Sequence, residues 1–226
     1  MPLIRHFQSP PPEAIESQIL QLVVDNLTDI SAIGIGPSNL LYNVYQYAVG
    51  YEVHLYLQAL GGGQGVAAEL LVAMDEDDPE ALLGFVLYLP VQDDPLACGV
   101  AFMAVRASHR RQGVARALLG QMLARYPHGE LTCAVDKVAY FEALGFTVLG
   151  PRGPHVLMST RQRPTDGLMA VLDVAPVYRS LEVRQIHTYL LQKHGKRAML
   201  DAEKQRDRHL DQMTRKAQAF VRQRLG

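Results

Sequence analysis

The twenty residues VAFMAVRASHRRQGVARALL, positions 100–119, constrain this chain more than any other stretch. The apolar run through Val105 reads as a strand. After the loop, Val114, Leu118 and Met122 recur at four-residue steps beside Ala115, Leu119 and Leu123, which is one face of a helix. That helix starts at Gly113 with no Ser, Thr, Asp or Asn in the cap position. A helix start without a built-in acceptor exposes amide donors and the positive end of the peptide dipole, and together these suit phosphate oxygens. Gly113 lets the backbone approach such a ligand closely, and Ala115 keeps the next turn slim. Arg106, Arg110, Arg111 and Arg116 lie in the same stretch with no acid among them, so it also attracts anions at longer range.

The surrounding pattern predicts a mixed sheet. Strand-like runs at 66–74, 82–91 and 96–105 are separated by the turn compositions DEDDPE and QDDP, as in an antiparallel meander. Upstream, residues 3–7 read as a short strand, and the prolines at 10–12 lead into a helix over 13–27. A second helix opens at Pro37-Ser38, runs through Tyr47 and ends at Gly50. Residues 51–58 alternate, with Tyr51, Val53, Leu55 and Leu57 on one face and Glu52, His54, Tyr56 and Gln58 on the other, which predicts a half-buried strand. The glycine run at 61–65 then reads as a hairpin turn. Downstream come a strand at 131–135, a short helix at 137–144 stopped by Gly145, and strands at 146–149 and 155–159 around PRGP. Strands, helix, strand, helix, strands is an α/β arrangement.

Composition shifts again beyond residue 161. RQRPTDG leads into two helical stretches, 177–194 and 196–225, joined at Gly195, which predicts a C-terminal helical hairpin. The expected division is residues 1–160 as one domain and 161–226 as linker and hairpin. Leu210, Met213, Ala217 and Phe220 make a narrow apolar seam, expected to pack on the body or to form a homodimer. Twelve Lys/Arg against five Asp/Glu over residues 179–226 leave +7 there and -8 on the remainder. The tail's acids are interspersed and exposed aromatics few, so nucleic acid is not the expected partner. The longest apolar runs are about half the roughly 18–20 residues that span a bilayer, so no membrane helix is expected. The first thirteen residues lack a signal-peptide core. Cys98 and Cys133 sit inside apolar runs like reduced core residues, which favours a cytoplasmic location and no metal cage.

VRASHRRQGVARALL resembles the central motif of the GNAT acetyltransferases. There a strand ending in Val leads into R/Q-x-x-G-x-G/A, here Arg110-Arg111-Gln112-Gly113-Val114-Ala115. AYFEALGF, residues 139–146, is similar to the family's second motif, a short helix running into Gly-Phe before a strand, and Gly84-Phe85-Val86 also suits it. The resemblance spans roughly residues 3–160. It implies a GNAT-like mixed, mostly antiparallel twisted sheet flanked by helices, with acetyl-CoA as cosubstrate. The pantetheine arm would pair with the backbone of Met103, Ala104 and Val105. The diphosphate would rest on the loop and helix start formed by Arg110, Arg111, Gln112, Gly113, Val114, Ala115 and Arg116. A splayed strand pair, 103–105 against 131–133, would admit the thioester, and a free N–H would polarise its carbonyl.

The resemblance is weaker for the proton transfers. The family's usual acid, a Tyr four residues before the Gly of Gly-Phe, falls at Phe141. Tyr140 is one step away, about 100° around a helix, and replaces the hydroxyl only if that helix is rotated or shifted. No Asn occurs between 131 and 141. Candidates for the base that frees the amine are Glu69, His54, Asp136 and His155. Each also has a bland reading: solvent-facing, polar strand face, helix cap and turn neighbour. His109 reads as a solvated loop residue. Two glycine- or acid-rich stretches point elsewhere. IGIGPSNL, residues 33–40, resembles the fingerprint of flavin-dependent N-hydroxylating monooxygenases but has no preceding strand. The acids at 75–78 lack the spacing of a metal loop. The expected activity is acetyl transfer from acetyl-CoA to a primary amine, small or polypeptide, by direct attack. The alternative, motivated by Phe141 and the basic tail, is a CoA-binding regulatory module whose tail docks a protein partner.

Overall fold

In the computed structural model, which describes residues 2–226, seven strands form one sheet. They are β1 Leu3–Phe7, β2 Glu69–Met74, β3 Leu82–Val91, β4 Asp94–Val105, β5 His128–Cys133, β6 Thr147–Arg152 and β7 His155–Ser159, in the order β1-β2-β3-β4-β5-β7-β6. Every neighbouring pair is antiparallel except β4 and β5. Side chains of β2 and β3 alternate between two cores. Leu70, Val72, Phe85 and Leu87 enter one, and Leu71, Ala73, Val86 and Tyr88 the other. Both faces are covered, which is why these strands read as unbroken apolar runs. Helices α1 Glu13–Asp25, α2 Leu27–Ile30 and α3 Tyr42–Ala59 cover the first face, and α4 Val114–Arg125 and α5 Val138–Glu142 the second. This is the GNAT-like architecture that the motifs imply.

The largest departure from the sequence reading lies at residues 51–58, which are the second half of α3 and not a strand. Val44, Ala48, Val49, Val53, Tyr56, Leu57 and Ala59 are its buried positions, which recur on one helical face, while Tyr51 is exposed. The alternation of Tyr, Val and Leu coincided with a helical stripe that includes Tyr56 and reaches back across Gly50. Gly50 does not end the helix. The helix also starts later than Pro37-Ser38, after the loop that holds the IGIGPSNL stretch. The run at 61–65 is consequently not a hairpin turn. It joins α3 to β2 through left-handed Gly61, Gly62 and Gly65.

The C-terminal helix α6, Leu181–Leu225, consists of two arms that meet at Gly195, whose φ of 81° and ψ of 161° are not helical. Residues 177–179 form a separate 3₁₀ turn, and Ser180 caps the first arm by accepting a hydrogen bond from the Val183 amide. Val183, Leu190, Met199 and Ala202 join the first core, whereas Ala217 and Val221 join the second. The second arm is pinned by Asn39 Nδ2 donating to the Ala202 carbonyl at 3.0 Å and by Arg224 against Glu142 at 2.7 Å. Gly34 is a close approach, since a Cβ there would lie 2.9 Å from Met213 Sδ. Within the apolar seam Ala217 is buried against the body of the same chain, while Leu210, Met213 and Phe220 are half-buried. No helix among the described residues is long and apolar enough to cross a membrane.

Gly50 has helical backbone angles, and a Cβ added there would meet nothing within 4 Å. Gly50→Ala is expected to raise unfolding stability by about 0.5–1 kcal/mol through lower unfolded-state entropy. Urea titration checks this, and a loss of stability would contradict the helix assignment at this position.

Candidate functional site

β4 and β5 pair at only three positions, Ala97↔His128, Cys98↔Gly129 and Gly99↔Glu130, and then separate. β4 stays with β3 as far as Gly84↔Val105, and the Arg106 amide extends the tie by donating to the Leu83 carbonyl at 2.8 Å. β5 stays with β7 through Cys133↔Val156. The edge of β4 that faces β5 over residues 100–105 thus has no strand partner. The register of β3 on β4 slips where Leu87 faces Phe102 and Tyr88 faces Val100, leaving Ala101 as a bulge at the root of the fork. Bulges bend a strand and increase its twist, which here turns β4 away from β5. The fork opens into a cavity of about 740 Å3, whose walls include residues 100–105 of β4 and residues 131–134 at the end of β5.

One end of this cavity is the start of α4. Gly113 caps the helix with φ of 83°, so the helix proper begins at Val114, and no side chain caps it. Arg111 also has positive φ, at 63°, an uncommon conformation for a residue with a Cβ. Alternation of left-handed residues with others turns successive N–H groups inward as an anion-holding concavity. Among the described residues no acceptor engages the amides of Val114, Ala115 or Arg116. Arg110, Arg111, Arg116 and Lys137 line this end against one carboxylate, Asp29. Asp29 lies 3.3 Å from Lys137 Nζ and 3.6 Å from Arg110 Nη2, and the same guanidinium donates to Asn26 Oδ1.

Toward the other end the walls are Ile33, Tyr45, Val49 and Phe102, with Glu52 from α3 and Tyr178 from the 3₁₀ turn before α6. Burial pushes the Glu52 carboxyl up to about 7, since it has lost water without gaining a cation. The alternation over 51–58 puts Glu52 on the polar face of a strand that helps to line the acceptor cleft, but not among the candidate bases. On a helix it comes within one turn of Val49 and Tyr56, beside the cavity.

Residues 66–148 match the family model described as acetyltransferase (GNAT) domain. That segment is similar to a GNAT acetyltransferase domain. The fold of the chain is similar to PaiA N-acetyltransferase from Thermoplasma acidophilum, solved with coenzyme A, at 10% identity and TM-score 0.54, covering 70% of this chain and 99% of that one. A Corynebacterium glutamicum protein described as histone acetyltransferase HPA2 and related acetyltransferase gives 17% identity and TM-score 0.51, covering 73% and 98%. A nourseothricin acetyltransferase aligns over 41% of this chain and 64% of its own length, at 22% identity and TM-score 0.37. No curated protein matches the sequence. At these identities the structural likeness establishes the fold.

Within the matched segment, Met103, Ala104, Val105, Arg110, Arg111, Gly113, Val114, Ala115 and Arg116 all border the cavity. Gln112 does not; its side chain donates to the Ser108 carbonyl at 3.0 Å. Tyr140 does reach the cavity wall, next to Phe141, with the two rings 5.2 Å apart. Burial raises the Tyr140 phenol above its ordinary value, against a smaller lowering by Arg116, so it carries its proton at neutral pH. His155 and His109 also line the cavity, the latter from the exposed loop before α4 with its ring against the Ser108 hydroxyl. Burial lowers the His155 imidazole.

Three base candidates lie elsewhere. His54 does not line the cavity; its Nδ1 is 2.5 Å from Glu16 Oε1 and its ring stacks on Tyr51. Asp136 is exposed beside Lys137 and makes no helix cap. Glu69 is not solvent-facing but buried near the far end of α4. Tyr126 donates to it at 2.6 Å and Tyr88 at 2.8 Å, His6 Nε2 lies at 2.8 Å, and Arg125 Nε at 3.3 Å. Burial alone would raise the Glu69 carboxyl, but these donors, led by Tyr126, outweigh it and hold the group below its usual range. A carboxyl depressed on folding adds stability above its unfolded pKa and loses it as pH falls through the folded one. Glu69→Gln should therefore cost about 2–3 kcal/mol at pH 7. The gap from wild type should narrow below about pH 4. Urea unfolding at both pH values checks this; a gap independent of pH would contradict the network's charge.

Proposed function

We propose that this chain is an acetyl-CoA-dependent N-acetyltransferase acting on a primary amine. The observation that carries the reading is the forked, unpaired edge of β4 leading to uncapped amides and four cations at the start of α4. Coenzyme A offers a match for each part: an amide-bearing arm for an open strand edge, phosphates for free amides, and a slender thioester for the root of the fork. When bound it supplies the activated acetyl group. Met103, Ala104 and Val105 hold the arm. Arg110, Arg111 and Arg116, with the amides after Gly113, hold the phosphates.

The remaining steps belong to the amine and to this chain's side chains. Glu52 takes one proton from the ammonium form and leaves a neutral amine facing the fork. The nitrogen attacks the thioester carbonyl carbon, a C–N bond forms, and the C–S bond breaks with its electron pair going to sulfur. The second nitrogen proton ends on the thiolate, with Tyr140 as the candidate relay at the cavity wall. Free thiol and amide are the products, and Glu52 returns its proton to solvent. Proximity of amine and thioester in the cleft supplies much of the rate.

Two outcomes test this reading. A Cβ at Gly113 would meet no neighbour within 4 Å, so Gly113→Ala adds only backbone strain, whereas Gly113→Glu adds a negative charge facing the phosphates. Acetyl-CoA, but not NAD, should raise the melting temperature of wild type and of the Ala variant, and the Glu variant should lose that shift. An undiminished shift in Gly113→Glu would overturn the phosphate assignment. For Glu52, raised from 4.5 to about 7, the ionised form is the base, so kcat should rise through about pH 7. Glu52→Gln should lose that limb and about 10²-fold in rate. A carboxyl raised on folding contributes stability that is present below 4.5 and lost as pH rises through about 7. The Gln variant should thus be slower yet more stable than wild type at pH 8, and equal or lower stability would contradict the buried carboxylate.

A further inference from the structure

The cavity's acceptor end has one carboxylate to offer. Glu52 makes no hydrogen bond or ion pair among the described residues, whereas Asp29, the other acid on the cavity wall, is engaged by Arg110 and Lys137. Around Glu52 the walls are apolar or aromatic. Tyr45 and Tyr178 stand with ring centroids 5.9 Å apart at 60°, and Ile33, Val49 and Phe102 complete the surface. Tyr178 comes from the C-terminal extension and is partly exposed. Its neighbour Val177 is buried, and the cap of α6 at Ser180 follows two residues later. Tyr45 is braced from behind by Arg206 of the same extension, whose Nη1 donates to its hydroxyl at 3.3 Å.

A carboxylate on an otherwise apolar wall, beside a pair of tyrosine rings, attracts one cation strongly. A second cation on the same ligand would sit against apolar walls with no counter-charge, which selects against polyamines and basic peptides. We propose that Glu52, Tyr45 and Tyr178 form an acceptor subsite for a monoamine on an apolar or aromatic body, of the arylalkylamine type, and that the C-terminal extension supplies one wall of it. This assignment rests on the transferase reading given above.

Thiol release from saturating acetyl-CoA with 2-phenylethylamine, spermidine and a lysine-containing peptide tests it, alongside the acetyl-CoA-induced shift in melting temperature. The expected result is a kcat/KM for 2-phenylethylamine at least about tenfold above either competitor. Tyr178→Ala should raise the KM for 2-phenylethylamine about tenfold, with kcat and the acetyl-CoA shift close to wild type, and Tyr178→Phe should restore the KM. Preference for spermidine or the peptide, no turnover of any amine despite an intact acetyl-CoA shift, or a Tyr178→Ala defect that extends to the acetyl-CoA shift would each overturn the subsite while leaving cofactor binding standing. Absence of an acetyl-CoA shift in wild type would instead remove the transferase reading itself, and the subsite with it.

Discussion

Two parallel strands that hold together for three residue pairs and then part are the constraint on which the rest of this structure depends. β4 is committed to β3 along its whole length, and β5 is committed to β7, so neither can follow the other past Gly99 and Glu130. Backbone N–H and C=O groups require partners, and an exposed inner edge inside a covered sheet leaves a row of them facing a cavity. Water or a ligand with its own amides must satisfy that row. The bulge at Ala101 fixes where the parting begins, and the start of α4 fixes what lies at the far end. Strand edge and helix start are joined by only eight residues, so one stretch of chain builds both halves of the cleft.

Charge divides the cleft along its length. Four cations gather where the helix dipole is positive, moderated by Asp29, and a single unpaired carboxylate stands among tyrosines toward the other end. Each half therefore favours an opposite kind of ligand, an anion at one end and a cation at the other. The C-terminal extension contributes to this division as well as to the fold. It packs on both cores and brings Tyr178 into the cavity wall, which ties residues far apart in sequence to a common site.

What was legible in the chain follows the distance over which the information acts. The strand, Gly113 loop and helix at 100–125 could be read because cap chemistry, apolar spacing and basic clustering all lie within a few turns of one another. The meander and the short helix before Gly145 were legible for the same reason. Residues 51–58 were misread because Tyr51, Val53, Leu55 and Leu57 satisfy a period of two while Val49, Val53, Tyr56 and Leu57 satisfy one of 3.6, and only tertiary packing decides between them. That single ambiguity kept Glu52 out of the candidate bases and promoted His54, which pairs instead with Glu16. Glu69 showed the converse. Nothing local announces that Tyr88, Tyr126, His6 and Arg125, spread over 120 positions, converge on one carboxylate. Docking of the last helix was also invisible, because Gly34 and Asn39 meet it across more than 160 residues.

Amide hydrogen exchange with and without acetyl-CoA addresses the central claim most directly, since it reads individual backbone N–H groups rather than overall binding. Slowed exchange concentrated at residues 100–105 and 111–116, with little change in β1, β2 or the second arm of α6, is the expected result. Binding that leaves those two segments exchanging as before would contradict a cleft that works through its main chain.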